Sequence, residues 1–333
     1  MRQRMGGSHE GGRSMLGEHR LDRRDFNRRD FIGGAAKLGV GMVVSAGLVG
    51  AVLEACGGSS SSPGSSNDLL AEGRKQGFLR VAYINKKPGS YIDPQTNKLV
   101  GSGPEIIEPL LNRIGIPNVQ PTVCEFSAII PGLLAKHWDL SAIPFFITPE
   151  RCAQVAFTDP EGQFTEGALV RSGNPLNIHS YKDMAANPKI RVSVQQGDAE
   201  ATWAKQIGIA DHQMTTFPQE ALAVQALKEG RVDAYLNSTY ALRQDIINYT
   251  GKGIEVATPF TGPVINGVET IAYDGWATRV EDSSLRLALN DELHKMTTSG
   301  EWLSIMTPYG YDKTMLPGVV TAVSLCPANT WAK

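Results

Sequence analysis

The feature that most constrains the fold is an alternation of strand and helix patterns that occurs in two separate series. In the first series, strands and helices alternate at 79–84, 104–114, 119–126, from 127, and 140–145. Apolar runs of strand length alternating with amphipathic helices favour parallel strands joined by right-handed crossovers. This part of the sequence therefore predicts an α/β lobe built on a parallel sheet.

A second series begins after a turn-rich break at 172–175. Its strands are predicted at 190–194 and 232–236, and its helices from 180, at 199–207 and at 218–229. One strand (167–170) leaves the first lobe and another (267–273) returns to it. The sequence thus predicts two hinge-linked α/β lobes: a discontinuous lobe 1 at 68–170 plus 267–333, and lobe 2 at 175–262. The cleft between such lobes is the expected ligand site.

The first 55 residues are typical of an export signal. Residues 1–30 contain eight arginines and no lysine, and the run RRDFI at 28–32 is similar to the twin-arginine consensus. The uncharged run 38–53 has 16 residues, four of them glycine, and a membrane-spanning helix needs roughly 20. We therefore expect residues 1–55 to be an export signal, with a permanent transmembrane helix as the alternative.

Cys56 follows the run LEA, which resembles a bacterial lipobox except for its glutamate. Lipidation of Cys56 would anchor the exported chain to a membrane; ordinary signal cleavage nearby is the alternative. Residues 56–67, rich in glycine and serine, form the predicted flexible tether. The expected location is the periplasm or the outer face of the cytoplasmic membrane.

Charge and cysteine spacing exclude several classes of function. The chain has a formal charge of −2, and residues 1–55 carry nine Arg/Lys against six Asp/Glu, so the remainder stands at −5. Without a basic patch, no nucleic-acid partner is expected. The four cysteines lack the close paired spacing of a zinc site. We expect no metal and no cofactor.

Several motifs in a fixed order carry a family resemblance. They are WDL at 138–140, FITPER at 146–151, VAFTDP at 155–160, GRVDA at 230–234 and GEW at 300–302. Together they resemble the family 3 periplasmic solute-binding proteins, the amino-acid-type binding proteins of ABC transporters, over about 68–315. The resemblance implies a two-lobed periplasmic-binding-protein fold, a small-molecule solute, a membrane permease as partner, and a monomer.

A narrower resemblance points to the ectoine/hydroxyectoine-binding group. It rests on EFSAIIPGL at 125–133, PERC at 149–152 and SLC at 324–326. This resemblance implies a disulfide between Cys152 and Cys326, which leaves Cys124 free; an exported chain permits such a bond.

Three residues carry the predicted site over from these relatives. Arg151 follows a strand end, and its planar guanidinium matches a carboxylate with two parallel hydrogen bonds. Phe126 and Phe146 also follow strands and resemble aromatic positions that contact ligand in the ectoine group, where a cationic ring can stack. A surface role for the arginine and core packing for the two phenylalanines are the alternatives.

The chain departs from its relatives where they bind a ligand cation. Amino-acid binders place an aspartate at the position of Ser238, which here follows Asn237, and ectoine binders place an acid and an aromatic at Lys86 and Gly89. Asp198 is the candidate replacement charge, or else a helix cap. We expect Asn237, Ser238 and Asp198 to contact the ligand.

The predicted ligand is a compact carboxylate, ectoine-like or amino-acid-like, that is not an ordinary α-amino acid recognised in the usual way. Lys86 favours a dicarboxylate or a hydroxy acid as the runner-up. A periplasmic enzyme of the same fold, such as a cyclohexadienyl dehydratase, is the alternative function. None of His137, His179, His212 and His294 falls in a catalytic pattern, and Glu166 is the one carboxylate to watch. We therefore expect a binding protein rather than an enzyme.

Overall fold

A computed structural model describes residues 68–249, 252–326 and 331. The predicted export signal (1–55), the tether (56–67) and the lipidation site at Cys56 lie outside these residues. None of the described helices combines the length and the apolar character that a membrane crossing requires.

The described residues form eleven α-helices and sixteen β-strands. The helices are α1 Leu69–Gln76, α2 Ser102–Arg113, α3 Ile129–Leu134, α4 Pro149–Cys152, α5 Tyr181–Ala186, α6 Glu200–Ile207, α7 Glu220–Lys228, α8 Thr239–Asn248, α9 Ser283–Thr298, α10 Glu301–Met306 and α11 Ala322–Leu325. The strands are β1 Phe78–Tyr83, β2 Tyr91–Ile92, β3 Leu99–Val100, β4 Asn118–Val123, β5 Leu140–Ser141, β6 Phe145–Phe146, β7 Ala156–Phe157, β8 Gly162–Arg171, β9 Val192–Gln195, β10 Met214–Phe217, β11 Ala234–Ser238, β12 Ile254–Val256, β13 Val264–Ile265, β14 Val268–Glu269, β15 Ile271–Gly275 and β16 Ala277–Thr278.

The first sheet is parallel, as the first strand–helix series predicts. Strand β1 lies between β4 and β5 and pairs in parallel with both. Helix α2 buries one stripe of its surface, formed by Ile106, Ile107, Leu110 and Leu111. This spacing of three and four residues gives an apolar face on one side of a helix.

A seven-stranded sheet carries the second series. Its order is β10-β9-β11-β8-β15-β6, and β12 also pairs with β8. Strand β8 has 10 residues; its first half pairs with β15 and its second half with β11 and β12, all antiparallel. Strand β8 therefore runs from one lobe of this two-lobed α/β fold into the other, and the lobe boundaries given above remain a prediction.

The predicted strand 140–145 is interrupted. The hydroxyl of Ser141 donates to the carbonyl of Ile143 and accepts from its N–H, at 2.5 and 3.2 Å. This side-chain turn replaces the sheet ladder, and Pro144 has no N–H to continue it. As a result β5 joins the first sheet, whereas β6 pairs antiparallel with β15.

The C-terminal segment is fixed to the first lobe by covalent and polar contacts. A disulfide bond joins Cys152 and Cys326, whose Cα atoms lie 5.8 Å apart. The indole N–H of Trp331 donates to the Cys152 carbonyl at 3.1 Å, and the N–H of Ala322 donates to Asp159 at 2.9 Å. Cys124 is a half-buried free thiol. The disulfide packs in an apolar cluster with Val155 and neighbouring residues.

Candidate ligand-binding site

A cavity of about 180 Å³ lies where the strands of both lobes end. The ends of β1, β9 and β11 contribute to its wall, as expected for ligand sites at the carboxyl edges of parallel strands. Its polar and aromatic lining residues are Lys86, Lys87, Ser102, Phe126, Phe145, Phe146, Arg151, Glu161, Gln195, Asp198, Glu200, Glu220, Asn237, Tyr240, Gln244, Asp274 and Tyr311.

Arg151 reaches this cavity from the short helix α4. The hydroxyl of Thr148 caps the helix by accepting from the N–H of Arg151, so the side chain leaves the first turn in a fixed direction. Its Nη1 donates to the carbonyl of Phe146 at 2.6 Å, and its Nη2 donates to the carbonyl of Gly197 at 2.8 Å. The residue is 8% exposed, which rules out the surface alternative.

Among the described residues the guanidinium of Arg151 forms no ion pair with a carboxylate, although the charges of Asp198 and Glu200 act on it from nearby. Its central carbon lies 5.7 Å from the ring centre of Phe126 and 5.2 Å from that of Phe145. None of the ion pairs found among the described residues involves Arg151. A buried cation held only by carbonyls and aromatic faces is suited to accept an anion.

The two predicted phenylalanines both line the cavity and also pack against other rings. Phe126 meets Phe145 edge-on with ring centres 6.2 Å apart. Phe146 lies 6.0 Å from Phe164 and 5.9 Å from Trp203. Ligand contact and core packing are therefore compatible for both phenylalanines, because each ring packs against neighbouring rings and also lines the cavity.

Lys86 is already neutralised by the protein. Its ammonium contacts Glu220 and lies 3.3 Å from Asp245. Although burial opposes it, these two carboxylates raise the pKa of Lys86. Lys86 is thus not free to attract a second anionic group of a ligand, which removes the reason for favouring a dicarboxylate.

Asp198 and Asn237 reach the cavity wall, whereas Ser238 does not. Burial, followed by the nearby Glu200, raises the pKa of Asp198. Asp198 does not cap α6, since the residue at the cap is Ala199. Asn237 donates to the hydroxyl of Tyr235 at 2.8 Å. The hydroxyl of Ser238 instead accepts from the N–H of Ala241 and begins α8, so its side chain serves the helix.

Sequence reasoning missed most of the acidic residues at the cavity. Glu161 and Asp274 lie on facing segments, and the N–H of Glu161 donates to the Asp274 carbonyl at 2.9 Å. Burial raises the pKa of Glu161 to about 7. Burial and then the charge of Glu161 raise the pKa of Asp274. In the sequence, Glu161 lies beside a strand and Asp274 lies just past the predicted return strand. Neither position is specific to a ligand-binding acid.

Glu166, the carboxylate singled out from the sequence, lies on β8 outside the cavity lining. It is 3% exposed, and neither carboxylate oxygen has a hydrogen bond of good geometry in the described structure. Burial raises the pKa of Glu166 to about 8, and Glu200 and Tyr181 are its neighbours. No group of three or more His, Cys, Asp or Glu side chains suited to a metal ion occurs among the described residues.

Two α/β lobes joined by β8, with a cavity at their strand ends that presents a buried arginine, define a solute-binding protein. The chain belongs to the bacterial extracellular solute-binding proteins, family 3, whose profile matches residues 79–312.

Relatives and solved structures agree with this assignment. A probable amino-acid ABC transporter periplasmic-binding protein of Sinorhizobium fredii is 32% identical, over 76% of this chain and 82% of its own length. The crystal structure of EhuB in complex with hydroxyectoine superposes with a TM-score of 0.69 at 31% identity, covering 78% of this chain and 98% of EhuB. An ancestral amino-acid-binding protein, a precursor of cyclohexadienyl dehydratase, superposes with a TM-score of 0.62 at 26% identity, covering 72% and 99% of the two chains.

Proposed function

We propose that this protein is the extracytoplasmic solute-binding component of an ABC transporter, and that it captures a small carboxylate-bearing solute between its lobes. The observation that carries the proposal is Arg151, a buried guanidinium at the cavity without an acidic partner in the described structure. Leaving such a charge unpaired is costly, and a ligand carboxylate supplies the missing partner.

The solute is ectoine-like or amino-acid-like. EhuB was solved with hydroxyectoine, and the Sinorhizobium fredii relative is named for amino-acid transport. The aromatic walls at Phe126 and Phe146 suit a ring or an apolar side chain. The pairing of Lys86 with Glu220 and Asp245 argues against a second carboxylate on the ligand.

A binding screen on one purified sample tests this proposal. Thermal shift and then calorimetry are measured with ectoine, hydroxyectoine, L-arginine, L-glutamine and succinate. A ligand that binds only the folded state raises the melting temperature by mass action. We expect saturable binding of at least one zwitterion and none of succinate; binding of succinate alone, or of no compound, would overturn the proposal.

The same sample tests the enzyme alternative. The solved structure of a dehydratase precursor shares this fold, but its name, like those of the curated relatives, is that of a binding protein. We expect no turnover of a prephenate-like acid. Rapid decarboxylation and dehydration of that acid would instead favour a cyclohexadienyl dehydratase.

We also propose that the exported chain is a monomer held at the membrane through lipidated Cys56, next to its permease. The lipobox-like run before Cys56 supports this location. Membrane fractionation of the full chain against a Cys56→Ser variant tests it: the variant should move to the soluble fraction. An unchanged distribution would argue for ordinary cleavage or for a transmembrane signal.

A further inference from the structure

Glu161 and Asp274 are two of the acids that line the cavity, and no cation of the described residues forms an ion pair with either of them. Lys86 is matched by Glu220 and Asp245, and Arg151 lies in the field of Asp198 and Glu200. No ion pair in the described part of the chain involves either Glu161 or Asp274.

Both side chains are deeply buried, and that of Glu161 is held by a hydrogen bond. Glu161 is 1% exposed and Asp274 is 6% exposed. The indole N–H of Trp302 donates to Glu161 Oε2 at 2.5 Å. Gly162 leaves room for the second acid, since a Cβ there would lie 3.0 Å from Asp274 Oδ1.

One oxygen of this pair has no partner in the described structure. Asp274 Oδ1 is buried and accepts no hydrogen bond, yet Asp274 belongs to the cavity wall. An unmatched acceptor in a low-dielectric site costs free energy that a donor from a ligand would recover. A ligand donor at this position would therefore be favourable, as it would be at Asp198 Oδ2 on the same cavity wall.

The surroundings of the pair fit an organic cation. Tyr240 and Tyr311 line the same cavity, with ring centres 4.3 Å apart. Aromatic faces attract ammonium, amidinium and guanidinium groups, and carboxylates neutralise them. Trp302, Tyr240 and Tyr311 interact with one or both of the two acids and carry no positive charge, whereas Lys86 and Lys87 line the same cavity.

We propose that Glu161 and Asp274 form a second subsite of the cavity, which accepts the cationic group of a zwitterionic ligand whose carboxylate binds Arg151. This inference rests on the proposed function, and it adds where the positively charged group of the solute binds. Burial raises the pKa of Glu161 to about 7, so the pair holds protons near that pH. A ligand cation beside the pair favours the ionised form, and binding near pH 7 therefore releases protons to solvent.

The test compares Glu161→Gln and Asp274→Asn with the wild type. Hydroxyectoine and L-arginine serve as zwitterionic probes, and cyclohexanecarboxylate serves as a probe with a carboxylate but no cation. Glu281→Gln, at an exposed carboxylate on the surface, is the matched control. Titration calorimetry at pH 7 in phosphate and in Tris gives both affinity and the number of protons released.

We expect each site variant to bind the tighter zwitterion at least about tenfold more weakly, which corresponds to about 1.4 kcal/mol. Proton release should fall toward zero, and the control should match the wild type. Because each variant changes a buried side chain, thermal melting is measured alongside to verify that the variant is folded.

Two results separate this inference from the proposed function. Zwitterion binding that depends on Arg151 but is unchanged in affinity and proton release by Glu161→Gln and Asp274→Asn would overturn the subsite alone. Tight binding of cyclohexanecarboxylate by the wild type would also overturn it. If no carboxylate probe binds the wild type, the proposed function itself fails.

Discussion

The ammonium of Lys86 lies 3.3 Å from Asp245 Oδ1, which links the segment after β1 to helix α8. Lys86 also contacts Glu220, at the start of α7. Against the effect of burial, Lys86 lowers the pKa of Glu220, whereas burial raises that of Asp245. The three groups therefore form one ionic cluster that bridges the two parts of the fold.

Replacing Lys86 by methionine should destabilise the protein because it leaves Glu220 buried without its cation. Breaking one side of a buried ion pair costs about 3–5 kcal/mol, and we expect about 3 kcal/mol since Lys86 is partly exposed. Urea unfolding at pH 7 measures the change. The control is Lys136→Met, whose side chain is 68% exposed; an equal loss in both variants would contradict the role of the triad.

The disulfide between Cys152 and Cys326 should stabilise the fold by closing a long loop. The two residues are 174 positions apart, for which the chain-entropy model gives about 4–5 kcal/mol as an upper value. Cys326→Ser should lower the free energy of unfolding, while Cys124→Ser should change it little. Mass spectrometry of alkylated protein should find one reactive thiol outside the signal and lipidation region; three would refute the bond.

Glu166 should make the protein less stable as the pH rises. Its pKa of about 8 in the folded state exceeds the value near 4.3 of an unfolded chain. The folded state thus binds the extra proton between these values, and stability falls with rising pH across that window. The free energy of unfolding of Glu166→Gln should match that of the wild type near pH 4.5. Between pH 4.5 and pH 8 it should exceed the wild-type value by an increasing amount, at most about 1.4 kcal/mol for each pH unit.

Chemical denaturation of both proteins at pH 5, 6, 7 and 8 measures this difference. Glu281→Gln, at an exposed position, should track the wild type throughout. A difference in the free energy of unfolding between Glu166→Gln and the wild type that is the same at every pH would contradict the prediction, because Glu166 would then not change its protonation in this range.

The sequence was informative wherever a function depends on neighbours along the chain. Arg151 follows Thr148, and the hydroxyl of that threonine caps the helix that aims the arginine. The strand–helix order likewise predicted parallel pairing of β1 with β4 and β5. These features follow from local geometry and periodicity, which a single sequence contains.

Features that depend on distant partners were not predictable. Lys86 resembled a free cation, but its partner Glu220 is 134 residues away. Asp274 lies just past the predicted return strand 267–273, and only the pairing of β15 with β8 places it beside Gly162. Helix α8 was missed because its hydrophobic residues do not form a clear stripe; it is begun by the Ser238 hydroxyl.

The most direct test of the central claim is calorimetric titration of Arg151→Ala with whichever zwitterion of the screen binds the wild type most tightly. Loss of a charge-assisted contact, about 1.5–3 kcal/mol per hydrogen bond, should weaken binding by about tenfold to more than a hundredfold. Arg151→Lys should recover part of it, and Arg231→Ala, at an exposed arginine, should bind like the wild type. An affinity of folded Arg151→Ala equal to that of the wild type would contradict the account.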